Sequence, residues 1–249
     1  MLAGGTRALL MQLAHPAVAA GVAQHSDFRD EPFVRLRRTL AATHQVVFGS
    51  TPRAERALRR INLVHGAVRG LVPETAEPYH ALDPGPLLWV HATLVDTAIR
   101  VYDRFIAPLS ETDAEAYHAE AKQIAVRLGV PEIMLPATLA ELRAEMRRMM
   151  LSGEVSVTPT ARELARTVLY PTRFPPRVAW DAAHLVSLSL LPAELRRGYG
   201  IGWSAARERG VLRLAAATRR LLPIVPGPLR FVPAARSAER RVRRAGLAW

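Results

Sequence analysis

Leu87-Leu88-Trp89-Val90-His91-Ala92-Thr93-Leu94-Val95-Asp96-Thr97-Ala98-Ile99-Arg100-Val101-Tyr102-Asp103-Arg104-Phe105 is the most apolar helical stretch of the 249-residue chain. Its hydrophobic positions run nearly all round a 3.6-residue period, the pattern of a helix surrounded by other helices. On both sides of it, helical periodicity alternates with Pro and Gly punctuation. No two alternating runs flank an Asn-Gly or Asp-Gly turn. These patterns predict an all-α protein, a single-domain helical bundle with residues 87–105 at its centre.

Upstream, a helix is expected over Thr6 to Ala14, ended or kinked by Pro16, and a second segment over Val34 to Phe48, stopped by Gly49. Thr51-Pro52 then reads as an N-cap with proline in the first turn, opening a helix through Leu58, Ile61, Val64, His65 and Val68 to Gly70. A Pro-rich loop spans Pro73 to Pro86. Downstream, Ser110 with Asp113 and Thr138 with Glu141 are capping-box starts, the first helix ending at Gly129 and the second near Ser152-Gly153. Thr158-Pro159 opens a helix that stops before Pro171, and Val178 to Leu191, Ala193 to Tyr199 and Ser204 to Leu222 follow. There is no fixed-period repeat and no linker long enough for a second domain. One helical domain is expected over residues 1–222, with a Pro- and Arg-rich basic tail over residues 223–249.

The chain has 34 basic and 22 acidic residues, a formal net charge of +12, and Lys122 as its one lysine. Its basicity is therefore guanidinium, which suits carboxylates and phosphates. An Arg- and Ala-rich composition is equally what a GC-rich genome produces. The absence of cysteine excludes disulfides, Cys-ligated zinc, iron–sulfur clusters and a thiol nucleophile. No run of apolar residues is long enough to span a bilayer without interruption. Met1 to Ala23 superficially resembles a signal peptide, but Gln12, His15 and Pro16 interrupt its apolar core. It is read as a helix of a cytoplasmic protein. The tail, with Arg236, Arg240, Arg241, Arg243 and Arg244, reads either as a solvated end-helix or as a contact for anionic lipid or nucleic acid.

Signatures of zincin proteases, α/β hydrolases, P-loops and Rossmann folds are missing; Gly198, Gly200 and Gly202 follow a helix, the wrong context for dinucleotide binding. Two Glu-x-x-His pairs occur, each half of a carboxylate di-iron motif. Glu77 and His80 lie in a Pro-rich loop, and Glu115 and His118 sit among Glu111, Asp113 and Glu120 on what reads as a solvated face. His65 and His91 differ, because each falls in an apolar helical stripe where its ring nitrogens need partners. Each is read either as a hydrogen-bonded core residue or as the imidazole of a His-ligated haem. Arg35 and Arg38 share a helical face with Thr39 adjoining, either an ordinary cationic face or a group suited to haem propionates or a bound oxygen species.

The runs Gly4-Gly5-Thr6-Arg7-Ala8-Leu9-Leu10, Gln12-Leu13-Ala14-His15-Pro16, Arg35-Leu36-Arg37-Arg38-Thr39, Val47-Phe48-Gly49, His65-Gly66-Ala67-Val68-Arg69-Gly70 and Trp89-Val90-His91-Ala92-Thr93-Leu94 together resemble the MpaB-like oxygenase family, which includes the bacterial latex-clearing proteins or rubber oxygenases. The resemblance covers roughly residues 3–200. It implies a globin-like helical core that binds haem b and uses O2 on an apolar, often isoprenoid, substrate. It maps the family's proximal His-x-x-x-Arg onto His65 and Arg69, and its distal Arg-x-x-Lys-Thr onto Arg35, Arg38 and Thr39. His91 becomes a pocket residue, and His15 likewise. Arg38 stands where the family has lysine. A guanidinium stays protonated and does not ligate iron, so the sixth position is expected to hold water or stay open.

The expected function is thus a haem b-dependent oxygenase acting with O2 on an apolar small molecule. The same haem without turnover would make a sensor. A haem-free basic helical protein would instead bind an anionic membrane or another protein. Specific nucleic-acid recognition ranks last, since only 6% of residues are aromatic and no helix-turn-helix emerges.

Overall fold

A buried ion cluster brings the helices together in a computed structural model that describes residues 4–26, 32–172 and 174–246. Arg7 comes from α1 (Gly5–Leu13), and Asp96 from α5 (Pro84–Val101). The Arg7 Nη2 donates to Asp96 Oδ2 at 2.6 Å, its Nη1 to Thr97 Oγ1, and its Nε to the Leu190 carbonyl of α9 (Arg177–Leu190) at 2.7 Å. Arg100 adds a second donor to Asp96 Oδ2 at 2.8 Å. Arg143 of α7 (Leu139–Leu151) reaches Oδ1 at 3.3 Å. Arg7 is 1% and Asp96 2% exposed. A charge so deep is tolerated only when its lone pairs and donors are matched, as they are here.

Around this knot α5 touches α1, α7, α9 and α6 (Glu111–Leu128), so the stretch read as central is central. The core joins Leu10 and Met11 of α1, Trp89, Val95 and Ile99 of α5, and Leu142 of α7. Trp89 is fully buried, its indole N–H donating to the Met11 carbonyl at 2.8 Å, which satisfies the one polar atom it takes inside. Sequence predicted apolarity all round, but Leu94 is half exposed while Thr93, Asp96 and Thr97 are buried. After Val101 the helix widens into a π turn over Tyr102–Ile106.

The boundaries follow local chemistry. Ser110, Thr138 and Ser204 side chains accept from the Asp113, Glu141 and Arg207 amides, and Thr158 from that of Ala161. These caps start α6, α7, α11 (Ala205–Leu221) and α8 (Pro159–Leu169). Gly129 ends α6 with φ +109°, a left-handed conformation that favours glycine. The remaining helices are α2 (Pro16–His25), α3 (Pro32–Phe48), α4 (Thr51–Gly66), α10 (Ala193–Gly198), α12 (Gly227–Arg230) and α13 (Pro233–Arg244). Ser50, one residue earlier than expected, is the N-cap position of α4.

The all-α class is observed, with one addition: Arg69–Leu71 (β1) and Pro78–His80 (β2) form a small antiparallel pair in register Arg69 with His80 and Gly70 with Tyr79. No helix among the described residues is long and apolar enough to cross a membrane. The C-terminal stretch continues as α12 and α13, and α13 packs on α3, where Arg241 donates to the Phe48 carbonyl.

Asp96→Asn removes the shared counter-charge of three arginines and is expected to cost about 3–5 kcal/mol in denaturant unfolding. Burial raises the Asp96 carboxyl pKa, but the Arg7 and Arg100 charges outweigh it and hold it below the usual value. Its contribution is therefore present above the unfolded carboxylate pKa and is lost as pH falls through the lower folded value. An Asn variant as stable as the wild type at pH 7 would show that the knot is not the anchor.

Candidate functional site

The two candidate segments, residues 35–39 and His65, lie on one helical hairpin. Helices α3 and α4 are joined by Gly49 and Ser50 alone and pack against each other. A Cβ on Gly49 would come within 2.2 Å of the Gln45 carbonyl oxygen, so this turn admits glycine. With a rise of about 1.5 Å per residue, Arg35 and His65 each sit roughly 20 Å from the turn, at the same end of the hairpin.

On α4 the inward positions are Ala57, Leu58, Ile61 and His65, the first two buried and the others half-buried. Val64, expected on that face, is exposed. On α3, Arg35 is half-buried, and burial lowers its pKa. Arg38 and Thr39 are exposed. Arg69 departs from the expectation of a helical His-x-x-x-Arg. Helix α4 ends at Gly66, and Arg69 opens β1, exposed, with its carbonyl accepting from His25 Nε2 at 3.0 Å. The i,i+4 geometry implied by the spacing is therefore not formed.

The eight histidines sort by what their rings do. His25, His80, His118 and His184 each hydrogen-bond a backbone carbonyl, of Arg69, Gly66, Pro136 and Leu169 respectively. His44 lies against Phe48 at 5.8 Å between ring centroids. In His15, His65 and His91 one ring nitrogen is buried without a partner, as is the Nδ1 of His118, whose Nε2 is already engaged. Burial lowers the pKa of His15, His65 and His91, so each of these three imidazoles is neutral at pH 7. A neutral imidazole with an unengaged nitrogen is the chemical form that ligates iron. Among the three, His65 alone sits on the hairpin with the candidate arginines, and its Nδ1 is the unpartnered atom. The residues fit a haem b group in donor chemistry: a neutral imidazole, apolar neighbours, and guanidiniums suited to propionate carboxylates. The carbonyl or carboxylate that commonly orients a ligating imidazole through its second nitrogen is not seen among the described residues.

His91 is 8% exposed, its Nε2 has no partner, and its electrostatic neighbour is His118 of α6. His118 is fully buried, a correction to the solvated face read from its acidic neighbours. Both Glu115 oxygens accept from the Leu139 amide at 3.0 Å, and His118 Nε2 donates to the Pro136 carbonyl at 3.1 Å. This Glu-x-x-His pair docks α6 onto the start of α7. No group of three or more His, Asp or Glu among the described residues is arranged to hold a metal ion. Sequence reading passed over Arg7 and Asp96, although each is a lone charge in an apolar run.

Residues 1–220 match the family described as ER-bound oxygenase mpaB/B'/Rubber oxygenase, catalytic domain, and the chain belongs to that family. It is also 29% identical over 230 residues to the uncharacterized proteins Mb2261 of Mycobacterium bovis and Rv2237 of Mycobacterium tuberculosis, covering 86% of this chain and 87% of each relative. No solved structure matches it. Membership supports oxygenase chemistry in general, with O2 and an oxidisable substrate as reactants.

Burial, and then the His118 imidazole, lowers the His91 pKa from 6.5 to about 4. Between those values the unfolded chain takes up a proton that the folded chain refuses, so stability falls as pH drops through that window, by at most ~3 kcal/mol. His91→Gln is expected to flatten this part of the curve in denaturation midpoints measured from pH 7 to pH 4. Parallel curves for wild type and variant would refute the buried neutral state.

Proposed function

We propose that the protein is a haem b-dependent oxygenase acting with O2 on an apolar, lipid-like or isoprenoid small molecule, with His65 as the iron ligand. The observation that carries this reading is the unengaged, neutral His65 imidazole at the same end of the α3–α4 hairpin as Arg35, in a chain of an oxygenase family. Haem b, when bound, supplies the means of activating O2.

The chain's own residues do the rest. Burial keeps His65 unprotonated, so its lone pair is available at neutral pH. Arg35 offers a fixed positive charge in a partly desolvated setting, where it balances a propionate more strongly than it would in open water. Arg38 and Thr39 supply N–H and O–H donors for oxygen atoms on which negative charge develops. Arg38 cannot take the ligating role of a lysine, so its part is charge and hydrogen bonding. Arg69, on β1, binds or orients an anionic group from the strand rather than from the histidine's helix. His91, neutral and buried on α5 beside His118, takes no part in ligation. Apolar side chains exclude water from the substrate.

The wild-type chain supplied with haem is expected to show a strong Soret band that His65→Ala loses or shifts, while His91→Ala keeps it. A colourless wild type, or a His65→Ala variant with an unchanged spectrum, overturns the assignment. Arg38→Met is expected to speed conversion of ferrous to ferric haem in air without releasing haem. An unchanged rate removes Arg38 from the reacting side.

A further inference from the structure

Helix α3 has no buried residue over 33–48, although it packs on α4 and α13. A helix of 17 residues in a folded protein ordinarily hides an apolar stripe, and here much of that stripe is open. Phe33, Leu36 and Val47 are each 52% exposed. With a turn of 100° per residue, Phe33, Leu36, Leu40, His44 and Val47 share one side of α3, and Arg35, Ala42 and Val46 lie on the opposite side. Phe33, Leu36, Leu40 and His44 form a shallow open groove of about 340 Å³. This apolar side is therefore not the side proposed for haem.

The charge around it is predominantly positive. On this side α3 presents Arg37, which lines the groove, and no acidic residue, and α13 carries five arginines against Glu239, which pairs with Arg243 at 2.6 Å. Arg240, Arg241, Arg243 and Arg244 are exposed. Arg241 ties α13 to the C-terminal end of α3 through the Phe48 carbonyl, so the basic helix is fixed beside the apolar one. At the start of α13, Phe231 and Val232 are also exposed, with the Arg230 guanidinium over the Phe231 ring at 4.9 Å.

We propose that α3 and α13 together form a docking surface for an anionic lipid bilayer, α3 lying in the interface with Phe33, Leu36 and Val47 in the acyl boundary and the α13 arginines against lipid headgroups. Half-exposed aliphatic and aromatic side chains beside arginines match a medium that is apolar below and anionic above. Nucleic acid would reward the arginines but not Leu36 or Val47. The inference rests on this surface and is independent of whether haem is bound.

The test is co-sedimentation of the full chain with vesicles of phosphatidylcholine mixed with phosphatidylserine, against vesicles of phosphatidylcholine alone. Two variants accompany it: Arg240→Ser with Arg243→Ser and Arg244→Ser, which spares Arg241, and Phe33→Ser with Leu36→Ser. All five side chains are at least half open or on the exposed face, and circular dichroism checks that each variant folds. Expected are binding to the anionic vesicles only, weakened about a hundredfold by the triple arginine variant and at least about tenfold by the double apolar variant. Equal binding to both vesicle types, full binding by either variant, or no vesicle binding alongside salt-dependent binding to a DNA duplex each overturns the proposal.

Discussion

The Asp96 carboxylate, sealed inside the bundle and shared by Arg7, Arg100 and Arg143, is the constraint on which the rest of the structure depends. Taking four ionised groups into or toward a core is costly, and the cost is recovered only when the geometry is complete. Completing it requires α1, α5, α7 and α9 to meet at one point, because the same Arg7 that binds Asp96 also holds the Leu190 carbonyl. Hydrophobic burial of Leu10, Met11, Trp89 and Leu142 supplies the driving force around it. The ion cluster supplies register, since sliding α1 along α5 by one turn would strand a buried guanidinium.

The α3–α4 hairpin stands in contrast to that interior. Ala57 and Leu58 of α4 are buried, but no described residue of α3 is. An element with so few buried contacts belongs to the low-stability end of a fold, where binding and closing motions are drawn from. On the proposed reading, His65 and Arg35 on this hairpin would let a large planar group enter and be held without opening the core. The price of that arrangement is an α3 helix with exposed apolar side chains, which the basic α13 flanks.

Much of the architecture was legible because its signals are local. Capping pairs such as Ser110 with Asp113 and Thr138 with Glu141 announce helix starts through one side chain and one nearby amide, and Gly129 announces a stop through its backbone. What was not legible depends on distant partners. Nothing near Asp96 reveals that Arg7, 89 residues away, will meet it. His118 reads as solvated from Glu111, Asp113 and Glu120, yet it points inward to the Pro136 carbonyl. Arg69 keeps the spacing of a helical partner for His65, but the chain leaves the helix at Gly66 for a three-residue strand too short to show alternation. The candidate site was legible as residue types and motif order; the placement of Arg35 and His65 at one end of a hairpin required the fold.

The central claim is that this hairpin, not the buried His91 and His118 region, holds the haem group. Hydrogen–deuterium exchange of the full chain with and without haem b tests it most directly. The account predicts slowed exchange concentrated in amides of residues 33–66, with α5 and α6 little changed. Protection centred on α5 and α6 around His91 and His118, with residues 33–66 unaffected, would contradict it.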